Sequence, residues 1–129
     1  MNHERFNETF EKMVGMCRDL LVSKNAEYAR GEDKLHNFKK AAGFGGTQET
    51  ALGGMMLKHT VSVYDMIDDI GKANNASLEK WEEKIMDHIN YLILLYAMQV
   101  ERDDMFKHKG YTMGPLGQAL AGAAKYEIK

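Results

Sequence analysis

The chain has 129 residues with a formal net charge of −2 at pH 7, and hydrophobic residues make up 44% of it. A chain of this length corresponds to one domain, and it buries enough surface to fold without disulfides or structural metals. Proteins that bind duplex nucleic acid through its phosphates are normally basic, so the slightly acidic charge argues against that class of partner.

The cysteine content and the lengths of the apolar segments predict a cytoplasmic protein. Cys17 is the only cysteine, which excludes an internal disulfide and is typical of a reducing compartment. The N-terminal segment MNHERFNETFEK has acidic residues and no apolar core, so it does not predict a signal peptide. The longest apolar stretch, 91–98, is much shorter than the roughly 20 residues that span a bilayer. We therefore expect no membrane partner.

The first apolar pattern predicts a helix from about Glu4 to Ala29, because apolar residues recur at steps of three and four. These residues are Phe6, Phe10, Met13, Val14, Cys17, Leu20, Leu21 and Tyr28. The segment 30–33 then interrupts the pattern. The connector KLHNFKKAAGFGGT follows it and shows no clear period.

Two further helices are predicted after this connector. The second begins at Thr47 as N-cap and ends at Gly71. The third begins at Ser77 as N-cap and runs to about Asp104. Because the segment 91–98 is apolar on every side, we expect it to lie in the centre of the core or in an oligomer interface.

These elements predict an all-α fold, a bundle of three long helices in a single domain over residues 1–129. The core is expected over about 4–104. The tail, 105–129, is expected to form a short helix after Pro115 or a segment docked on a partner. Three amphipathic helices cover one another only in part, so we expect a homo-oligomer.

Polar residues on the predicted helices form two stripes that include carboxylates. On the third helix the stripe continues directly into apolar residues, which predicts that it faces the interior, where a carboxylate needs a partner or a metal. Mg²⁺ prefers oxygen ligands and is the candidate cofactor. The candidate metal ligands are Asp65, Asp69, Glu83 and Asp87, with Asp68 in place of Asp69 if the second helix is rotated. A solvated face with structural salt bridges is the alternative interpretation.

Basic, aromatic and amide side chains alternate in the sequence from the end of the first predicted helix through the connector. An anionic nucleotide needs this combination, since cations bind its phosphates and rings stack on its base. The candidate phosphate contacts are Lys24, Lys34 and Lys58, and the candidate contacts to base or sugar are Asn25, Tyr28, His36, Asn37 and Asn90. A lysine-rich solvated loop would have the same composition. His59 lies on the apolar face of the second helix, which favours a core histidine.

The chain resembles a known family over about residues 5–103, and the resemblance is clearest in the segments KNAEYARGEDKLHNFKKAA and WEEKIMDHINYLILLYAM. The chain resembles small bacteriophage and prophage proteins of the nucleotide-modification-associated domain type, which are linked to the MazG-like all-α nucleotide pyrophosphohydrolases. The shared motifs are K-N-x-x-Y at Lys24, Asn25 and Tyr28, K-H at Lys58 and His59, and E-K-I-x-D-x-I-N-Y at 83–91.

The resemblance implies an oligomeric helical protein in which acidic residues surround Mg²⁺ and water cleaves a nucleoside triphosphate to monophosphate and pyrophosphate. Those enzymes carry E-x-x-E on one helix and E-x-x-D on the next. Here Asp87 matches the second motif, but Lys84 stands where its glutamate would be, and the second helix carries Asp65-x-x-Asp68. Glu83 and Asp87 are the candidate catalytic residues.

Three functional hypotheses follow. The first is a Mg²⁺-dependent nucleotide phosphohydrolase, encoded by a phage and acting in the cytoplasm of the bacterial host. The second is a protein that binds or sequesters a nucleotide or a nucleotide-derived signal without catalysis, which Lys84 favours. The third is a structural helical oligomer with no small ligand.

Overall fold

The structure, a computed structural model, describes residues 1–28 and 31–108, with side chains for 1–23 and 31–108. These ranges contain four helices and no β-strand, which confirms the all-α prediction for them. The helices are α1 (His3–Tyr28), α2 (His36–Ala42), α3 (Gln48–Asp68) and α4 (Leu78–His108). Most of the predicted tail, 109–129, lies outside the described residues, while 105–108 belong to α4.

The chain divides into two compact units, Met1–Met98 and Gln99–Lys129. The first unit contains α1, α2, α3 and α4 as far as Met98, together with all the side chains discussed as a site below. In the second unit the described residues are the last turns of α4, in which every side chain except Glu101 is exposed. No helix within the described ranges is both long enough and apolar enough to cross a lipid bilayer.

Contacts between α1 and α4 begin at the middle of α1. Lys12 forms an ion pair with Glu82, and the buried Cys17 thiol lies 4.0 Å from the carbonyl oxygen of Met86. The predicted apolar face of this helix is covered only in part, since Phe6 and Phe10 at its beginning remain exposed.

The ends of α3 follow from local interactions. Thr47 is its N-cap, and it forms a capping box with Thr50, in which each side chain oxygen accepts a hydrogen bond from the other residue's backbone N–H. A side chain at Gly46 would place its Cβ only 2.5 Å from Thr50 Oγ1, so this close approach requires glycine. The helix ends at Asp68, slightly before the predicted end at Gly71, whose φ of +82° suits glycine in the turn that follows.

The short helix α2 lies in the connector for which the sequence shows no period. It follows Asp33, whose carboxylate accepts hydrogen bonds from Leu35 N–H at 3.0 Å and from Lys39 Nζ at 3.0 Å. Phe38 is its one buried side chain. A helix of seven residues is too short to repeat an apolar face, which is why periodicity does not predict it.

The core of the first unit joins α2, α3 and α4. Its buried members are Leu35, Phe38, Leu52 and Met98, and the partly buried side chains packed against them are Met56, Tyr91, Leu94 and Leu95. The segment 91–98 thus contributes one side to this core. Its other side, which includes Leu92, Ile93 and Tyr96, is exposed in the chain.

Candidate functional site

A cavity of about 190 Å³ lies in the first unit, where side chains from all four helices meet. Its walls combine apolar side chains with a small number of polar ones, as in most small-molecule sites. The lining residues are Leu20, Leu21, Lys34, Asn37, Phe38, Met55, His59, Asp87, Asn90, Tyr91 and Leu94.

Asn90 is the most buried polar side chain of this cavity. It is only 6% exposed, and neither the nitrogen nor the oxygen of its amide has a hydrogen-bond partner among the described residues. Buried polar groups in folded proteins are nearly always paired, because an unpaired one loses its hydrogen bonds to water without replacement. The cavity lining therefore contains a buried amide whose donor and acceptor atoms both lack partners, and a ligand in direct contact with the amide would supply them.

Asp87 and His59 face each other across the cavity wall. Asp87 lies one turn before Asn90 on α4, and its Oδ2 is 3.8 Å from His59 Nδ1 on α3. This distance is too long for a hydrogen bond, and the contact becomes an ion pair only when His59 is protonated. The His59 ring packs against the Tyr91 ring with a centroid distance of 5.0 Å. The Asp87 carboxylate thus remains available to accept a hydrogen bond from a ligand.

The mouth of the cavity is defined here as its solvent-exposed side, which Lys34 and Asn37 line. Both are exposed although they line it, in contrast to the buried Asn90. Lys34 makes no ion pair with the described residues, so its ammonium group is free to approach an anion outside the cavity. The polar lining is therefore graded, with a neutral amide inside and a cation at the entrance.

The structure brings some of the predicted ligand contacts together and separates others. Lys34, Asn37, Asp87 and Asn90 all line one cavity, although they are far apart in the sequence. His36 and Lys58 are not among its lining residues, and Lys58 is exposed on α3. The predicted contacts whose side chains lie outside the described residues are Lys24, Asn25 and Tyr28.

The predicted metal ligands are not assembled in the same way. Asp69 caps the end of α3, where it is bound by Asn74 at 3.1 Å and Lys72 at 3.4 Å, and Glu83 pairs with Lys80 at 3.5 Å. Asp65 is exposed, as is its neighbour Asp68. No group of three or more acidic, histidine or cysteine side chains in the described ranges is arranged to hold a metal ion. The assignment of these residues as Mg²⁺ ligands, like the role of Mg²⁺ itself, stays a prediction.

His59 also lines the cavity, although its place on the apolar face of the predicted helix favours a core histidine. Its Nδ1 has no hydrogen bond, and its ring lines the cavity. The sequence pattern places His59 on the apolar face of α3 and Asp87 on the inward stripe of α4, so it predicts that the two side chains lie near each other. It does not predict that a cavity remains between the two helices at this point.

Comparisons with models of known protein families, with curated proteins and with solved structures found no match to this chain. The resemblance to MazG-like proteins therefore stays a prediction.

Proposed function

We propose that the protein binds a nucleotide or a nucleotide-derived small molecule in this cavity. The observation that carries the proposal is the buried amide of Asn90, which has a donor and an acceptor without partners in a cavity wall. A nucleobase edge offers adjacent donors and acceptors that complement an amide. Buried amides left unpaired are costly, so this arrangement is typical of a site completed by its ligand.

The other lining residues suit the remaining parts of a nucleotide. Phe38 and Tyr91 supply aromatic surface, and Leu20 and Leu94 supply aliphatic surface for a planar ring. Lys34 supplies the positive charge that a phosphate attracts. Binding of this kind needs no set of metal ligands, in agreement with the lack of such a group among the described residues.

A retention experiment tests this proposal. The purified protein is incubated with a mixture of nucleosides, nucleotides and cyclic nucleotides and then filtered, and the retained and filtered fractions are analysed by liquid chromatography with mass detection. We expect one or a few related compounds to be recovered from the protein. Asn90→Leu should lose this retention, whereas Asp19→Asn, at an exposed carboxylate that is not among the lining residues, should keep it. Retention of no compound, or equal retention by Asn90→Leu, would contradict the proposal.

Hydrolysis of the bound nucleotide is a second candidate, which the His59 and Asp87 pair favours. Histidine and carboxylate side chains are the most common general bases, and both of these side chains line the cavity without a hydrogen bond between them. The same filtrate tests it, because hydrolysis consumes one triphosphate and releases the matching monophosphate. Parallel samples with Mg²⁺ and with a chelator show whether the reaction or the retention needs the metal. An unchanged filtrate in both samples would leave binding as the function.

We also propose that the protein acts as a homo-oligomer. Large apolar side chains remain exposed on one side of α3 within the first unit, at Leu57, Val61 and Tyr64. Apolar surface of this kind commonly marks a protein interface. We propose that a second copy of the chain covers this surface, because pairing of two copies requires no other protein.

A further inference from the structure

We propose that the cavity receives the base of the nucleotide first, selects bases that carry an amino group, and leaves the phosphates at its mouth. This inference rests on the proposed function, and it names both the orientation and the chemical class of the ligand. It follows from three side chains, Asn90, Asp87 and Lys34, and from how deeply each is buried.

Asn90 requires a neutral group with an adjacent donor and acceptor. Both polar atoms of its amide are buried and without partners, so either orientation of the amide places an NH₂ donor group beside an oxygen acceptor. A phosphate presents only acceptors and would leave the amide oxygen unpaired. A base edge satisfies both atoms at once.

Asp87 adds a second requirement. An ionised carboxylate only accepts hydrogen bonds, and this one lines the cavity one helical turn from Asn90. It repels a phosphate in the same space and attracts a further N–H or O–H group. The inner part of the cavity thus favours a ligand that supplies a donor–acceptor pair and one additional donor.

An exocyclic amino group supplies that additional donor. In cytosine one amino hydrogen can bind the Asn90 oxygen, the second can bind Asp87, and the ring nitrogen accepts from the Asn90 amide. In uracil a carbonyl oxygen stands at the same ring position and would meet the Asp87 carboxylate with no hydrogen between them. Adenine and hypoxanthine differ in the same way. Amino-bearing bases should therefore bind better than their oxo counterparts.

We expect the phosphates to remain outside the cavity because the ammonium group of Lys34 lies at its mouth. Lys34 is exposed at the mouth, and no other lysine or arginine lines the cavity among the residues whose side chains the structure describes. An exposed ion pair contributes at most about a tenfold change in affinity. The number of phosphates should consequently have a small effect on binding, and the base should have a large one.

Calorimetric titration of the full chain with matched nucleosides tests this inference. Cytidine and uridine form one pair, and adenosine and inosine form the other, since the members of each pair differ at the amino position. A hydrogen bond to a charged group contributes enough that the amino-bearing member should bind at least about tenfold more tightly. Adding a triphosphate to the tighter nucleoside should change the affinity by less than about tenfold.

One substitution reverses the expected preference. Asp87→Asn replaces an acceptor with a group that also donates, so the oxo nucleoside should bind as tightly as the amino one or more tightly. Asp19→Asn, at an exposed carboxylate of α1 that is not among the lining residues, serves as the matched control, and it should leave both affinities unchanged. The comparison of nucleosides on the unmodified protein does not depend on whether the Asp87 variant folds.

The outcomes separate this inference from the proposed function. Equal affinity for amino and oxo nucleosides, or a triphosphate that binds a hundredfold more tightly than its nucleoside, would overturn the inference and leave nucleotide binding in place. Binding of no nucleoside and no nucleotide would overturn the proposed function and this inference with it.

Discussion

In the proposed site, Asn90 would combine a role in binding with a cost in stability. An unpaired buried amide destabilises a protein by about 1–3 kcal/mol relative to a paired one, and leucine has a similar shape without the polar atoms. We expect Asn90→Leu to raise the free energy of unfolding by about 1–2 kcal/mol while it abolishes ligand binding. Urea unfolding of the ligand-free protein measures the first effect.

The exposed Asn75 provides the control for this substitution. Asn75→Leu should change the free energy of unfolding by less than about 0.5 kcal/mol, because the side chain lies in solvent. If Asn90→Leu were instead destabilised, the amide would have a partner in the folded protein, and the cavity would not be an incomplete site.

Cys17 is a structural thiol and not a reactive one. It is 4% exposed, and burial raises the pKa of the thiol. Since the thiolate is the reactive form, we expect iodoacetamide at pH 8 to modify the native protein much more slowly than the urea-unfolded chain. Because the pKa is raised in the folded protein, the thiol of the unfolded chain loses its proton at a lower pH than the thiol of the folded protein. The free energy of unfolding should therefore fall as the pH rises above the ordinary pKa of a cysteine thiol. Rapid labelling of the native protein would contradict this assignment.

At the level of elements, the beginning of α2 depends on one carboxylate. Lys39 and the backbone N–H of Leu35 both donate to Asp33, and together they lower the pKa of its carboxyl. A lowered pKa contributes stability that is present above the ordinary aspartate value of about 4 and is lost as the pH falls through the value in the folded protein.

Asp33→Asn should therefore lower the free energy of unfolding at pH 7 by less than about 1 kcal/mol, since the pair is partly exposed. The difference from the unmodified protein should shrink as the pH falls below about 4. Thermal unfolding at several pH values measures it. Glu32→Gln, a neighbouring exposed carboxylate, is the control, and an equal effect of both substitutions would exclude a specific role for Asp33.

The long helices could be predicted from sequence because each one repeats an apolar face over many turns. The cap at Thr47 also follows from local chemistry, and the start of α4 at Leu78 agrees with a cap at Ser77. The rotation of α3 about its axis could not be predicted, because it depends on packing between helices. That rotation decides that His59 lines the cavity while Asp65 is exposed.

For the whole molecule, the exposed apolar surface of α3 predicts self-association. Leu57, Val61 and Tyr64 are 61%, 51% and 65% exposed, and their spacing places them on one side of the helix. We expect sedimentation to show a dimer or larger species for the unmodified protein. The double substitution of Leu57→Glu and Tyr64→Glu should shift it toward the monomer, whereas Asp65→Asn should not. A monomeric unmodified protein would contradict the prediction.

The unpaired amide of Asn90 also bears on how long the protein survives in a cell. A ligand that binds only the folded chain lowers the fraction that is unfolded at any moment, and it supplies the hydrogen bonds that the empty protein lacks. Proteases act mainly on unfolded chains, so the empty form should be degraded sooner than the loaded form. The abundance of the protein would then follow the supply of its ligand, with no separate control of its synthesis.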